Sequence, residues 1–297
     1  MKFLISLFLG LISFHPLIIF AEGNDLKKFQ VLGNCPNCNL KQVDLSNKHL
    51  ADVNFAGANL QQANLQKTWL AGSKLRGANL SRANLSKSTI YGADFRYVNL
   101  FRADLSDAKL NNINLTGAEL VDSNMTNSNL TNAVLRETNL TRVNLDGSIL
   151  LGSDFSGANL TGSSLKYIEG DMEVEDVVFL PSVQITDFSE SILINADLRY
   201  ANLFGAEFGG ADLSGANLSN AYLFSANLSR ANLKNANLYQ TNLKEVRFLY
   251  ADLSGADLSE AKMKDVNLDG AILCNTKLPW GIDNSGCNAK KNVNYYR

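Results

Sequence analysis

The sequence predicts an all-β solenoid, a chain that winds as a coil whose successive turns stack on one another. The main observation is that a large apolar residue, usually Leu, recurs at every fifth position from residue 38 to 165 and again from 188 to 278. On an α-helix, residues five apart step round by about 140° and share no face. On a strand, an odd spacing alternates between the two sides of the sheet. Each five-residue unit must therefore place one side chain inward and then turn a corner, which is typical of a solenoid.

The regular repeats fall into two arrays with different frames. The first array (38–165) contains 26 apolar centres and the second (188–278) contains 19. Leu165 and Phe188, the centres on either side of the break, are 23 residues apart, which is not a multiple of five. The segment 166–187 between the arrays is acidic and irregular. It is either a loop that bulges from one continuous stack or a hinge between two stacks.

Each unit contains a small residue, then Asn or Asp, then the apolar centre, then two variable residues. The unit from Ala78 to Arg82 reads Ala-Asn-Leu-Ser-Arg, which resembles the A(D/N)LXX motif of the pentapeptide-repeat family. The resemblance covers most of the chain and is specific, because so many consecutive units match. It implies a right-handed quadrilateral β-helix in which four pentads form one coil. In that fold the centre and the small residue two before it point inward, and the last two residues face solvent.

The first residues are typical of a secretory signal peptide, residues 1–21. Lys2 supplies the positive start, Phe3–Phe20 is largely apolar, and Ala21 precedes the expected cleavage site. An uncleaved membrane anchor is the alternative, but Pro16 breaks the apolar run and no stop-transfer pattern follows. We therefore expect an exported protein with no stable membrane insertion after cleavage.

Both ends of the repeats carry segments that are expected to cover an open coil. Residues 22–37 form the predicted N-terminal cap, a short helix that starts at Asn24 or Asp25 and stops at Gly33. Residues 279–297 form a C-terminal cap or tail that begins with turn-forming residues. Such caps are needed because an open solenoid end exposes unpaired backbone groups and apolar interior.

Four cysteines in an exported chain suggest disulfides, and they lie in two pairs, Cys35 with Cys38 and Cys274 with Cys287. Ten coils at roughly 4.8 Å each would separate the two ends by about 50 Å, whereas a disulfide needs Cα atoms within about 7 Å. Pairing across the ends is thus excluded within one molecule. We predict a bond between Cys274 and Cys287 that contributes about 3 kcal/mol to stability.

For Cys35 and Cys38 three interpretations remain open: a disulfide clip, a redox pair, or half of a metal site. The clip is favoured, since a thioredoxin-like pair needs a strand-to-helix context and a zinc site needs two more ligands nearby. His49 is the only histidine outside the signal peptide, so neither a metal site nor a cofactor is predicted. The cysteine-bearing ends also resemble those of exported cyanobacterial pentapeptide-repeat proteins, which implies the periplasm or the thylakoid lumen.

If four pentads make one coil, residues twenty apart sit one above another, and the sequence becomes a surface map. Six arginines of the first array then line one edge of the solenoid, three on each of two adjacent faces: Arg76, Arg96, Arg136 and Arg82, Arg102, Arg142. The functional interpretation is a docking ridge for an acidic partner. The alternative is a solvated face, because Asp122 and Glu137 interrupt the row and exposed charges contribute little.

Aromatic residues form the second surface feature. Phe204 and Phe224 are twenty apart, so we expect them to stack on one outer face of the second array, with Tyr200 and Tyr239 on the neighbouring face. Exposed aromatic side chains can mark an interface. Packing under the insertion or a cap is an equally good interpretation.

Motifs that carry enzymatic chemistry are not found in the sequence. No serine can be paired with a histidine other than His49, and there is no Gly-rich phosphate loop, so neither an enzyme nor catalytic residues are predicted. Without Lys2, 26 basic residues oppose 29 acidic ones, a net charge of −3 that argues against nucleic acid as a partner. Some pentapeptide-repeat proteins imitate DNA and bind gyrase. That reading is the least favoured, since it needs a strongly acidic surface and a cytoplasmic location.

The predicted function is a rigid scaffold or protein-interaction module with an unidentified protein partner. The alternative function is a binding protein for an anionic ligand or envelope component, acting through the arginine ridge or the insertion. Pairing of two rods through their ends, as a homodimer, is left open.

Overall fold

The structure, a computed structural model, describes residues 24–166 and 185–287. Four expectations fall wholly or partly on residues outside these ranges: the signal peptide 1–21, the first two residues of the N-terminal cap 22–37, most of the insertion 166–187, and the end of the tail.

The described part of the chain is a β-helix with four pentads in each coil. Parallel bridges join the residue before one centre to the residue twenty positions later, as in Asn39 with Asn59 and Asp44 with Asn64. Each side of a coil contributes one bridging residue. Each face of the solenoid is therefore a row of single-residue parallel bridges rather than a sheet of longer strands. The regular elements are helix α1 (Asp25–Leu32) and a C-terminal hairpin of β1 (Thr276–Leu278) and β2 (Gly281–Asp283). The predicted β-helix with a short N-terminal helix is confirmed.

The residue types of the pentad follow from this geometry. The Leu40 N–H donates to the Asn59 carbonyl at 2.8 Å, and the Asn59 N–H donates to the Cys38 carbonyl at 2.8 Å, so both strands of the ladder are paired. The Asn59 side chain accepts the Gln61 N–H at 3.1 Å, which closes the corner as an Asx turn. The second corner residue has a positive φ, for example 59° at Gln42. Gly and Asn adopt this left-handed conformation with the smallest energetic cost.

The interior is a set of stacked columns of apolar centres. The six phenylalanine centres all lie on one side of the coil and are fully buried: Phe55, Phe95, Phe155, Phe188, Phe208 and Phe248. Full burial of a side chain of this size stabilises the fold by about 1.5–3 kcal/mol. The repeated centres are therefore the main source of stability.

The two arrays form one continuous stack, which decides between the alternatives left open above. Asp154 bridges Asp187, although the two residues are 33 apart, thirteen more than a full coil. Two further bridges keep the same offset on the next two sides. Lys166 and Thr186 both occupy regular positions, since the Lys166 carbonyl accepts the Gly147 N–H at 2.9 Å and Thr186 is buried.

Helix α1 covers part of the first coil. Phe29 packs on Phe55 with ring centroids 5.1 Å apart, and an Asp25 carboxylate oxygen accepts the Asn39 N–H at 2.8 Å. Gly33 ends the helix with φ of 67°, as predicted from its position. Asn24 stands at the N-cap, but its side chain makes no capping bond.

Candidate interaction surfaces

Three positions of each pentad point outward: the residue before the centre and the two corner residues after it. Because bridged residues are twenty apart, or 33 apart across the insertion, equivalent positions form columns along the solenoid. Any surface site is therefore a group of neighbouring columns.

The first arginine row occupies one corner of the coil, and two of its members are paired with carboxylates. Arg96 donates from Nε to Asp94 Oδ1 at 2.8 Å and from Nη2 to Oδ2 at 2.6 Å. Arg136 forms an ion pair with Asp154 of the following coil. The hydrogen bond from Arg96 is the main cause that lowers the pKa of Asp94 below its usual range.

The second arginine row occupies the next corner and shares one carboxylate. Arg142 donates to Asp122 at 2.6 Å and Arg102 donates to the same carboxylate at 3.4 Å. The Arg142 hydrogen bond, with a smaller contribution from Arg102, lowers the pKa of Asp122. Asp122, which the sequence analysis treated as an interruption, lies between two guanidinium groups and holds both.

The two remaining members are differently placed. The Arg76 guanidinium lies over the Tyr97 ring, 5.3 Å from its centroid. Arg82 is exposed and is in no ion pair with the residues that the structure describes. The six arginines thus line two adjacent corners as expected, but four of them are neutralised within the chain. As a docking ridge for an acidic partner, the row stays a prediction.

The aromatic pair of the second array stacks as expected. The Phe204 and Phe224 rings are 5.6 Å apart with planes 13° from parallel. Tyr222, on the adjoining face, is 6.4 Å from Phe204 and 6.3 Å from Phe224, and Lys244 Nζ lies 5.2 Å from the Phe224 centroid. The rings are partly exposed, so they form an apolar strip bordered by a cation.

The two tyrosines follow centres on the neighbouring side of the coil. Tyr200 is about half exposed, and the Tyr239 hydroxyl donates to Glu260 Oε2 at 3.1 Å. This hydrogen bond to a carboxylate is the main cause that raises the pKa of Tyr239. Tyr239 is therefore held against the next coil by this hydrogen bond.

Comparison with known proteins identifies the repeat itself. The family model of pentapeptide repeats matches in eight copies that run from residue 34 to 167 and from 186 to 280. The chain belongs to the pentapeptide-repeat family. Proteins of this family are generally non-enzymatic structural or interaction modules. Comparison with curated proteins returns no match.

Several solved pentapeptide-repeat structures resemble this one. HetL, involved in heterocyst differentiation regulation in Nostoc sp. strain PCC 7120, is 27% identical over 88% of this chain and 99% of HetL, with a TM-score of 0.36. Rfr23 from Cyanothece 51142 is 27% identical over 43% of this chain and 94% of its own, with a TM-score of 0.29. A protein from the Arabidopsis thaliana thylakoid lumen is 30% identical over 40% of this chain and 70% of its own, with a TM-score of 0.23.

In this pentapeptide-repeat chain the four cysteines form two local disulfides. Cys274 bonds Cys287 with Cα atoms 4.5 Å apart, as predicted. Cys35 bonds Cys38 with Cα atoms 5.4 Å apart, which is the clip among the three interpretations. Cys35 takes a centre position and Cys38 a small-residue position, so this bond is buried in the first coil. Cys287 is exposed.

One pair of outward aromatic residues was missed by the sequence analysis. His49 and Trp69 are bridged, and their rings stack at 5.4 Å with planes 11° apart. The signal was available, since the two residues are twenty apart. The sequence analysis weighed His49 only as a metal ligand or as a partner of a catalytic serine.

Within the described ranges, no group of three or more His, Cys, Asp or Glu side chains could hold a metal ion. Across the same residues, no helix is long and apolar enough to cross a membrane.

Proposed function

We propose that this pentapeptide-repeat chain is a non-enzymatic scaffold that presents protein-binding surfaces in the periplasm or the thylakoid lumen. The observation that carries the proposal is the continuous stacking of the coils before and after the insertion. Bridges join these coils directly, and the centres on both sides of the insertion are fully buried. An interior filled in this way holds the outer columns at fixed spacing, and specificity then resides in the outward side chains.

Export is supported by two features. The apolar run from residue 3 to 20 follows Lys2, as in a secretory signal peptide. The chain also carries two disulfides, which persist in oxidising compartments such as the periplasm. Fractionation of expressing cells, with the mass of the recovered protein, tests this part. A cytoplasmic protein that retains its first residues would contradict it.

The aromatic strip of Phe204, Tyr222 and Phe224 is the proposed contact for a protein partner. Aromatic residues are enriched at the centres of protein interfaces, where they combine a large apolar area with few rotatable bonds. Lys244 at the border adds a cation that can pair with a carboxylate on the partner. The strip runs parallel to the coil axis, so it suits an elongated partner segment.

A photocrosslinking experiment in the native compartment tests this contact. The photoreactive residue p-benzoylphenylalanine replaces Phe224 in one variant and Phe101, which occupies the same corner position of another coil side, in the control. We expect one product of defined mass from position 224 and none from position 101. A product of twice the chain mass would assign the strip to homodimer formation. Equal products from both positions would contradict a specific surface.

A further inference from the structure

The near-neutral total charge conceals a strongly basic section near the N-terminal end. From Val53 to Ala93, about two coils, the chain has five basic residues and no Asp or Glu: Lys67, Lys74, Arg76, Arg82 and Lys87. A section of this kind produces a local positive potential that the net charge does not reveal.

One side of these coils combines the positive charge with exposed aromatic rings. His49, Trp69, Thr89 and Lys109 are bridged in succession and form a single column on this side. Four coils contribute to the column, and at roughly 4.8 Å per step it extends over about 15 Å. Trp69 is 42% exposed and stacks on His49.

The corners beside this column complete the surface. Lys67 and Lys87 stand one above the other along one corner, and both are exposed. Tyr91, 50% exposed, stands at the opposite corner. We call this side the lysine-aromatic face, and its members are His49, Lys67, Trp69, Lys87, Tyr91 and Lys109.

Its lysines are not neutralised within the described part of the chain. Lys67, Lys87 and Lys109 are in no ion pair there, in contrast to four of the six arginines on the neighbouring corners. Asp107 lies one coil beyond Lys87 in the same column, and Asp52 lies at an earlier coil in the column next to that of Tyr91, so both acids are at the edges of the face. The centre of the face is therefore a cluster of cations and rings without a carboxylate.

We propose that the lysine-aromatic face binds the surface of an anionic lipid bilayer. Trp and Tyr favour the headgroup level of a bilayer, where one part of the ring is apolar and another is hydrated. Each lysine near an anionic leaflet contributes about 1 kcal/mol to the free energy of membrane binding. A protein partner fits less well, because lysine is depleted in protein interfaces whereas arginine is enriched. The contact is peripheral and goes beyond the scaffold function, since it places the rod against a membrane.

A tryptophan-emission experiment tests the site directly. The chain has two tryptophans, so Trp280→Phe leaves Trp69 as the only one. The full chain is mixed with vesicles of equal parts phosphatidylglycerol and phosphatidylcholine, and separately with pure phosphatidylcholine. We expect the Trp69 emission to shift to the blue with the anionic vesicles alone and to return when salt is added. Binding without any change in Trp69 emission, or no binding, would overturn the proposal.

Charge variants separate the face from general electrostatic attraction. The variant Lys67→Asn, Lys87→Asn, Lys109→Asn keeps the fold, because Asn suits both the positive-φ corners at 67 and 87 and the bridging position at 109. The matched control Arg230→Asn, Lys262→Asn, Lys264→Asn removes the same charge from distant coils. Each lysine removed should lower the affinity for anionic vesicles about fivefold, which corresponds to about 1 kcal/mol of binding free energy. The first variant, which lacks three lysines, should therefore bind about a hundredfold more weakly.

The control should bind within about threefold of the parent, because exposed charges more than a Debye length from the bound surface are screened. All proteins share the same N-terminus, checked by mass, so any contribution from residues 1–23 cancels. Equal loss in both variants would show non-specific attraction and overturn the site. A blue shift with poly-glutamate but none with vesicles would assign the face to an acidic protein and also overturn it.

Discussion

The Phe155 and Phe188 rings stack at 5.0 Å with planes 17° apart, although 33 residues separate them and the irregular insertion lies between. Each ring is fully buried, so Phe→Ala at either position should cost about 3–5 kcal/mol of unfolding free energy. Because the rings touch, the double variant should deviate from additivity by about 0.5–3 kcal/mol. Urea unfolding of the four proteins measures this coupling.

The pair Phe95 and Phe188 provides the control for this cycle. Both residues belong to the same column, but they are several coils apart. The changes in unfolding free energy caused by the two Phe→Ala substitutions should therefore add within about 0.5 kcal/mol. Additive effects for Phe155 and Phe188 as well would contradict a continuous stack.

Continuity of the stack could have been predicted from the sequence. All six phenylalanine centres fall in one column only if the chain gains thirteen residues between Asp154 and Asp187 beyond a full coil. The 23-residue spacing of Leu165 and Phe188 by itself indicates only a mismatch with the five-residue repeat. The register is given by the identities of the centres on the two sides of the break, because phenylalanine occupies one column on both.

Removal of thirteen residues should leave the solenoid intact. Deletion of residues 168–180 joins Tyr167 to Pro181 and makes Val183 the next centre after Leu165 at the spacing of a regular pentad. We expect an unchanged circular dichroism spectrum and a thermal midpoint equal to or above that of the parent, because loop closure becomes shorter. Deletion of twelve residues is the matched control, since it shifts the frame. Equal folding of both deletions would contradict the register described here.

The two disulfides should differ in their response to reductant under native conditions. Cys287 is exposed, whereas Cys35 and Cys38 are 0% and 2% exposed, so the C-terminal bond should open first. Alkylation followed by peptide mass mapping gives the order. Cys274→Ser with Cys287→Ser should lower stability by about 3 kcal/mol. Earlier modification of Cys35 would contradict the burial of the first bond.

The arginine-paired carboxylates should make the protein sensitive to acid. The pKa of Asp94 is lowered mainly by the hydrogen bond from Arg96. The pKa of Asp197 is lowered mainly by the hydrogen bond from Arg199. A lowered folded-state pKa contributes stability that is complete above the unfolded-state pKa of about 3.9 and is lost as the pH falls through the folded value. The thermal midpoint should therefore fall steeply below about pH 4.

Asparagine variants show whether these two carboxylates are responsible. Asp94→Asn with Asp197→Asn keeps the side-chain oxygen that accepts the corner N–H, so the turn is preserved. We expect the midpoint of this variant to depend less on pH below about pH 4 than that of the parent. Asp104→Asn is the control, because Asp104 occupies the same pentad position but accepts hydrogen bonds from Ser106 and Asn124, and it is in no ion pair with the residues that the structure describes. An identical pH dependence in the parent and the double variant would contradict the assignment.

Surface columns could be read from the sequence, but the charge that they present could not. The twenty-residue spacing correctly placed the six arginines on two corners and stacked Phe204 on Phe224. The spacing does not determine in which direction a long side chain extends from its column. Ion pairs such as that of Arg96 with Asp94 depend on this direction. The sequence map therefore overstated the free positive charge of the ridge and overlooked the lysines near Trp69.

Asp122 gives the sharpest test of the arginine ridge. Since this carboxylate accepts from both Arg102 and Arg142, Asp122→Asn should release two guanidinium groups to solvent. We expect the variant to elute from an anionic resin at higher salt than the parent, and by more than Asp107→Asn, which removes an equal charge in the neighbouring column. Arg102→Ser with Arg142→Ser in the Asp122→Asn background should abolish the increase. If Asp122→Asn and Asp107→Asn elute together, the pairing around Asp122 does not limit the charge of the ridge, and the row is a solvated face.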